Sequence, residues 1–250
     1  MGLVQAKNLL QELKLHGMYE RLEKVLEERG SNKGLIESLD ELLQAESEYR
    51  EAAQTERMMR RSKLRHKPQL EDFDFTAKRS VNRGQIKDLY ELGWVKNGRS
   101  IVIVGPTGVG KTFLAQALGT RCCSKRASTL YMDVSRYLEE LSLARSTNTY
   151  LRYLTRLGRP QLLILDDFGL RKLKSDECND LCDLLKLRSG KSTIITTQLP
   201  IKNWQEVLED AVIADAIIDR MVHTSLVIDF KGDSYRRVQG KKLDGKTPKK

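Results

Sequence analysis

Hydrophobic positions along the chain fall into two regimes. In residues 4–29, Leu9, Leu10, Leu13, Met18, Leu22, Val25 and Leu26 recur at roughly helical spacing, with Gly17 as the expected break. Residues 35–65 continue with Leu35, Ile36, Leu39, Leu42, Leu43, Tyr49, Ala52, Met58 and Met59, without internal Gly or Pro. Ser31 or Asn32 is placed to cap this second helix, and Pro68 to stop it. About 30 helical residues would reach ~45 Å at 1.5 Å per residue. From residue 100 the pattern changes to short apolar runs at 100–104, 128–132, 161–165, 192–196 and 225–229. Runs that do not alternate suit strands covered on both faces. Helical segments between them predict an α/β fold, a parallel sheet with crossover helices.

The expected organisation is a small all-helical N-terminal module over 1–67, a connector over 68–98 with a short helix near 84–93, an α/β domain over 99–239, and a basic, disordered tail over 240–250. Of the 250 residues, the longest stretch without a charge is residues 100–110, eleven positions. A membrane-spanning helix needs about 20 apolar residues, so none is expected, and no signal core is seen; the expected location is the cytoplasm. Cys122, Cys123, Cys178 and Cys182 match no common zinc spacing and read as small buried hydrophobes. His16, His66 and His223 are scattered and support no catalytic constellation.

Charge adds a partner. The net charge is +10, large enough to suggest a polyanion. Its distribution says more: residues 1–56 carry 7 basic and 12 acidic side chains. Residues 57–67 carry six basic groups (Arg57, Arg60, Arg61, Lys63, Arg65 and Lys67) and no acid. That segment is a candidate for DNA or for a partner protein.

The chemistry begins at residues 105–112. Gly105, Pro106, Thr107, Gly108, Val109, Gly110, Lys111 and Thr112 form a complete G-x-x-x-x-G-K-[ST] loop between an apolar strand and a helix over 113–118. Gly108 and Gly110 free the backbone N–H groups to turn inward on phosphates, and a helix starting at Lys111 adds its positive dipole end. Lys111 is placed to reach the β- and γ-phosphates of ATP, and the Thr112 hydroxyl to ligate Mg²⁺. A partner carboxylate for the metal is expected from Leu162-Leu-Ile-Leu-Asp-Asp-Phe168, whose acids fall at the carboxyl end of a buried strand. Asp166 is expected to hold Mg²⁺, and Asp167 to orient and polarise the attacking water. Where the run Thr193-Ile-Ile-Thr-Thr-Gln198 ends, Gln198 or Thr197 could bond the lytic water or the γ-phosphate.

The loop GPTGVGKT, the run LLILDDFG, the segment TIITTQLP, the helix ADAIIDRMVH and the ending FKGDSYRR, in this order, resemble the IstB helper ATPases of transposons. These are relatives of the DnaC helicase loaders in the initiator branch of the AAA+ ATPases. The resemblance covers essentially the whole chain and makes 99–239 a P-loop AAA+ ATPase domain. It implies that Arg220 is an arginine finger reaching a neighbouring subunit's γ-phosphate, that Arg236 is the second sensor within its own subunit, and that Gln198 sits at the first sensor. Guanidinium groups are always charged and match phosphate oxygens bidentately. The family pattern is departed from twice: Asp167 stands where many AAA+ members have Glu, and Gln198 where Asn is common. Both substitutions predict slow hydrolysis without loss of nucleotide binding.

Initiator-type members carry an extra helix that faces nucleic acid. Here residues 142–160 contain Arg145, Arg152, Arg156 and Arg159 and no acid, at spacings that put all four near one helical face, opposite Leu151, Leu154 and Leu157. Tyr150 and Tyr153 are expected in the core, with stacking on a base as the alternative. The resemblance implies a homo-oligomer with ATP at subunit interfaces, bound to double-stranded DNA with little base readout, that recruits and stimulates a cognate transposase. A replicative helicase loader is the runner-up. A small-molecule phosphotransferase using the same loop is a third reading, disfavoured by the paired sensor arginines.

Overall fold

Each of the five apolar runs folds as a strand: β1 (Ile101–Val104), β2 (Thr129–Asp133), β3 (Leu162–Phe168), β4 (Ser192–Thr197) and β5 (Leu226–Asp229). In the computed structural model, which describes residues 2–27, 34–75 and 81–232, they form one all-parallel sheet in the order β2-β3-β4-β1-β5. The helices are α1 (Leu3–Glu12), α2 (His16–Glu27), α3 (Leu35–Arg61), α4 (Arg83–Tyr90), α5 (Gly93–Lys96), α6 (Lys111–Ser124), α7 (Val134–Ser146), α8 (Tyr150–Gly158), α9 (Ser175–Leu187), α10 (Trp204–Val207) and α11 (Ala211–Ile218). Every side chain of β1 and β4 is buried. This is why those strands read as unbroken apolar or threonine-rich runs: helices cover both sheet faces.

The chain divides into two compact units, Met1–Arg57 and Met58–Lys250. In the first, the expected break at Gly17 is not where the helices part. They part at Leu13–Leu15, where Lys14 turns left-handed at φ 57°, and Gly17 lies inside α2. Its role is close approach: a Cβ there would stand 2.4 Å from the Ala45 carbonyl oxygen and 2.7 Å from Glu46 Cα. The Gly17 and Met18 amides donate to Glu46 Oε2 at 2.8 and 3.3 Å, so a buried carboxylate from α3 caps the start of α2. Burial alone would raise the Glu46 pKa; the Arg50 guanidinium and the two amides outweigh it and hold the carboxyl below its ordinary value.

α3 ends at Arg61, seven residues before Pro68, and Lys63 follows in the left-handed region at φ 57°. Its 27 residues span ~40 Å at 1.5 Å each, slightly short of the expected length. The proposed caps Ser31 and Asn32 lie outside the described residues, as does the tail 240–250.

In the second unit, the segment expected as a connector is a layer of the core. Leu70, Phe73, Ile86, Leu89, Leu92 and Trp94 are buried in one cluster with Ile101, Ile103, Leu114 and Leu118. The short helix expected near 84–93 is two, α4 and α5, separated by Leu92 at φ 62°. The opposite sheet face packs against α7, α8, α9 and α11 through residues such as Leu141, Leu157, Leu181 and Ile217. All four cysteines are buried and free, and burial pushes the Cys122 thiol far above its usual range.

One buried cation ties this face together. The Arg188 guanidinium donates to the carbonyls of Leu157, Pro160, Gln161 and Ser192 and to the Thr193 hydroxyl. It thereby joins the end of α8 to the starts of β3 and β4. Burial lowers its pKa to about 10, which leaves it charged at neutral pH.

Candidate nucleotide-binding site

The glycine-rich loop connects β1 to α6 at the carboxyl end of the sheet, and α6 starts at Lys111 as expected. Gly108 at φ 78° and Gly110 at φ 105° occupy backbone conformations that a side chain would strain. Lys111 is almost fully buried, and its Nζ donates to the Pro106 carbonyl at 2.8 Å, across the mouth of the loop. Burial lowers the Lys111 pKa, against the opposing pull of Asp167 and Asp166. A buried ammonium at a glycine-rich turn that opens a helix suits a polyphosphate anion.

Asp166 is the fifth consecutive buried residue of β3 and gathers three hydroxyls. Thr112 Oγ1 donates to Oδ1 at 3.1 Å from the start of α6, Thr196 donates to the same oxygen from β4, and Tyr131 donates to Oδ2 at 2.7 Å from β2. Asp167 follows at φ 59°, a left-handed conformation uncommon for a non-glycine residue. Its amide donates to Thr196 Oγ1 at 3.0 Å, which helps to hold that turn. Burial, then the neighbouring Asp166 charge, raises the Asp167 pKa, opposed by Lys111. Asp133, the last residue of β2, pairs with Asp166 in the strand register, and ligand oxygens of Asp133, Asp166 and Asp167 lie within 4.8 Å of one another. Carboxylate and hydroxyl oxygens are the ligands that suit Mg²⁺, which keeps several waters and takes few protein ligands. The donor set therefore fits the metal implied by the loop.

Three members of this constellation, Tyr131, Asp133 and Thr196, were not among the expected residues. Asp133 had a signal: like the two acids of β3, it closes an apolar run. Tyr131 and Thr196 had none, because only the strand register brings them to Asp166. Thr197, one of the two residues expected near the γ-phosphate, is committed elsewhere; its hydroxyl donates to the Phe168 carbonyl at 2.8 Å and accepts from the Leu199 amide at 3.0 Å. Gln198 is exposed and lines a cleft with Gly105, Pro106 and Phe230, beside the loop.

Arg220 lies on a short π-helical turn, Asp219–His223, that follows α11. It is exposed, donates to the Ala216 carbonyl at 2.9 Å, and lines a hollow with Ser100 and Thr193 at the amino ends of β1 and β4. Within one chain it is thus at the opposite end of the sheet from the phosphate loop. Arg236 lies outside the described residues.

The expected arginine stripe is only partly formed. Residues 142–160 are not one helix: α7 ends at Ser146 and α8 begins at Tyr150. Arg145 therefore belongs to α7, where it pairs with the buried Asp180 carboxylate and lies over the Tyr150 ring, apart from the three arginines of α8. Leu151, expected on the core side, is exposed. Arg152, Arg156 and Arg159 do share one hollow along α8. Tyr153 is buried, and the Tyr150 hydroxyl donates to Asp180 at 2.6 Å, so neither ring is presented for stacking.

The basic segment also divides. Lys63 lies 3.9 Å from Glu140, which already accepts from Arg136 at 2.8 Å and Arg156 at 2.9 Å. Arg65 pairs with Asp133 at the edge of the carboxylate cluster. Arg57, Arg60, Arg61 and Lys67 have exposed side chains.

Phosphate loop, strand order and carboxylate placement define a P-loop nucleotide-binding protein with the AAA+ fold. The model of the IstB-like ATP binding proteins matches residues 8–243, and the chain belongs to that family. A Sinorhizobium fredii protein described as an insertion-sequence ATP-binding protein is 41% identical over 202 residues, covering 80% of this chain and 82% of that one. The insertion sequence IS21 ATP-binding protein of Pseudomonas aeruginosa is 32% identical over 236 residues, covering 94% and 89%. Among solved structures, replication initiator DnaA bound to AMPPCP and single-stranded DNA superposes with a TM-score of 0.58 at 18% identity, over 73% of this chain and 56% of that one. DnaI superposes with a TM-score of 0.57 at 23% identity, over 67% and 92%. At these identities the likeness is one of fold. No helix among the described residues is long and apolar enough to cross a membrane.

Proposed function

We propose that this ATP-binding protein of the insertion-sequence family is a Mg²⁺-dependent ATPase that self-assembles on double-stranded DNA and recruits a cognate transposase. The observation that carries the reading is the placement of Arg220 at the opposite end of the sheet from Lys111 in the same chain. A finger so placed completes a site only in a neighbouring copy, which makes hydrolysis conditional on assembly. Such trans-acting arginines contribute ~10³–10⁵ in rate.

In this account the loop amides and Lys111 bind the triphosphate, and Thr112 and Asp166 hold the metal. Mg²⁺, when bound, would neutralise phosphate charge and polarise the phosphoryl group as a Lewis acid. Asp167 orients the attacking water and accepts its proton, and Gln198 positions the γ-phosphate or that water. Asp167 is one methylene shorter than Glu, which favours slow turnover. Arg236 would read the γ-phosphate within its own subunit.

Arg152, Arg156 and Arg159 supply DNA contacts, with Arg57, Arg60, Arg61 and Lys67 as further candidates. These would grip phosphates, with little base readout. The alternative, a helicase loader of the DnaC type, shares the ATPase core; the insertion-sequence relatives favour transposition.

The test compares Lys111→Ala with Arg220→Ala. The first should lose nucleotide affinity. The second should retain it and lose DNA-stimulated hydrolysis. Equal loss of binding in both contradicts a trans-acting Arg220. Association with the transposase, and not with a hexameric helicase, decides between the two partners.

A further inference from the structure

A second basic groove lies at the other end of α6 from the ATP site. Lys96, Arg121, Lys125, Arg126 and Lys191 line it, with Glu91 as its one acid. Its floor includes Leu92, Val95 and Ala127, at the amino-end side of the sheet where β2, β3 and β4 begin. α6 has 14 residues, so its N-terminus on the phosphate loop and this groove are ~20 Å apart at 1.5 Å per residue.

Cations gather at helix C-termini for a structural reason, since each end carries about half a negative charge. That account is insufficient here. The ends of α4, α6 and α8 supply about 1.5 negative charges, and Glu91 one more, against Lys96, Arg121, Lys125 and Lys191. About 1.5 positive charges of these four cations are left over. Two cations are fixed in place by backbone. The Lys191 ammonium donates to the carbonyls of Gly158 at 2.6 Å and Arg159 at 3.3 Å. Arg121 Nε donates to the Tyr90 carbonyl at 3.1 Å, with its guanidinium over the Tyr90 ring. Arg126 is presented by a left-handed turn at φ 62°. Lys96 and Lys125 are exposed and form no ion pair among the described residues. Lys191 also touches the end of α8, so the groove begins where the Arg152–Arg156–Arg159 face stops.

We propose that this groove is a second contact for the DNA phosphate backbone, continuing the α8 face around the amino end of the sheet; the inference rests on the proposed duplex-DNA binding. A backbone following both surfaces would touch each subunit at two places, and α6 would join one of them directly to the phosphate loop. The contact is electrostatic, with phosphate oxygens as the acceptors.

The test uses the full chain with ATP and Mg²⁺, titrated onto duplex DNA across a range of salt. Lys96→Gln/Lys125→Gln should make the slope of log affinity against log salt shallower by about 2, near 0.9 per lost phosphate contact. Nucleotide affinity and nucleotide-driven self-association should be unchanged, and DNA should protect Lys125 of the wild-type protein from acetylation. An unaltered slope beside undiminished Lys125 acetylation would overturn the groove while leaving the α8 contact standing, which Arg152→Gln/Arg159→Gln reads separately. Loss of self-association in the lysine variant would also overturn it, by assigning the groove to a neighbouring protein copy. A wild-type protein with no duplex affinity would remove both the groove and the proposed function.

Discussion

The Tyr131 hydroxyl donates to Asp166 Oδ2 at 2.7 Å from the adjacent strand, and lies 3.2 Å from Asp133 Oδ1. One phenol thus holds the principal carboxylate of the site and touches a second. Burial, then Asp166, keeps its pKa far above the usual phenol range, so it remains a donor at any working pH. With Thr112 and Thr196 on the other oxygen, Asp166 is fixed before any ligand arrives.

Tyr131→Phe removes that donor and little else. Groups that orient a metal ligand typically contribute 10–100-fold to metal affinity or activity. We expect the Mg²⁺ concentration for half-maximal hydrolysis to rise about tenfold, with ATP affinity in the absence of Mg²⁺ unchanged. An unchanged Mg²⁺ dependence would show that the two threonines suffice.

Arg188 provides a stability test. Arg188→Met keeps much of the volume but removes the Arg188 donor from the Leu157, Pro160 and Ser192 carbonyls and a buried hydroxyl, while the Gln161 carbonyl keeps the Ser192 amide. A loss of about 3 kcal/mol is expected, which lowers the midpoint of thermal unfolding by ~6–12 °C for a domain of this size. A change within a degree would mean that the carbonyls find water instead.

The N-terminal unit carries a pH dependence whose sign follows from Glu46. Its carboxyl is held below the ordinary value in the folded state, so its stabilisation is fully present above the unfolded-state pKa. It is lost as pH falls through the lower, folded value. Amide-exchange protection at Gly17 and Met18, corrected for intrinsic rates, should therefore decline on acidification. Glu46→Gln should make it low and pH-independent; a variant that keeps the wild-type profile would contradict the cap.

Strands and phosphate loop were legible because each has a local cause: unbroken apolar runs for strands buried on both faces, and glycines where the backbone must turn on an anion. Features that depend on register or on close approach were not. Gly17 reads as a helix breaker, yet it permits α2 to touch the α3 backbone, while the actual break falls at Lys14, which carries no breaker chemistry. Spacing put Arg145 on a basic stripe, and Asp180, 35 residues away, claims it. Leu70, Phe73 and Trp94 look like connector residues until the sheet they cover is present.

The central claim is that ATP between adjoining copies builds the DNA-bound form. Its most direct measurement is the mass of the protein on long duplex DNA, by sedimentation or imaging, with and without ATP and Mg²⁺. We expect large assemblies only with nucleotide, and none from Lys111→Ala. Monomers that bind duplex equally well without nucleotide would contradict the account.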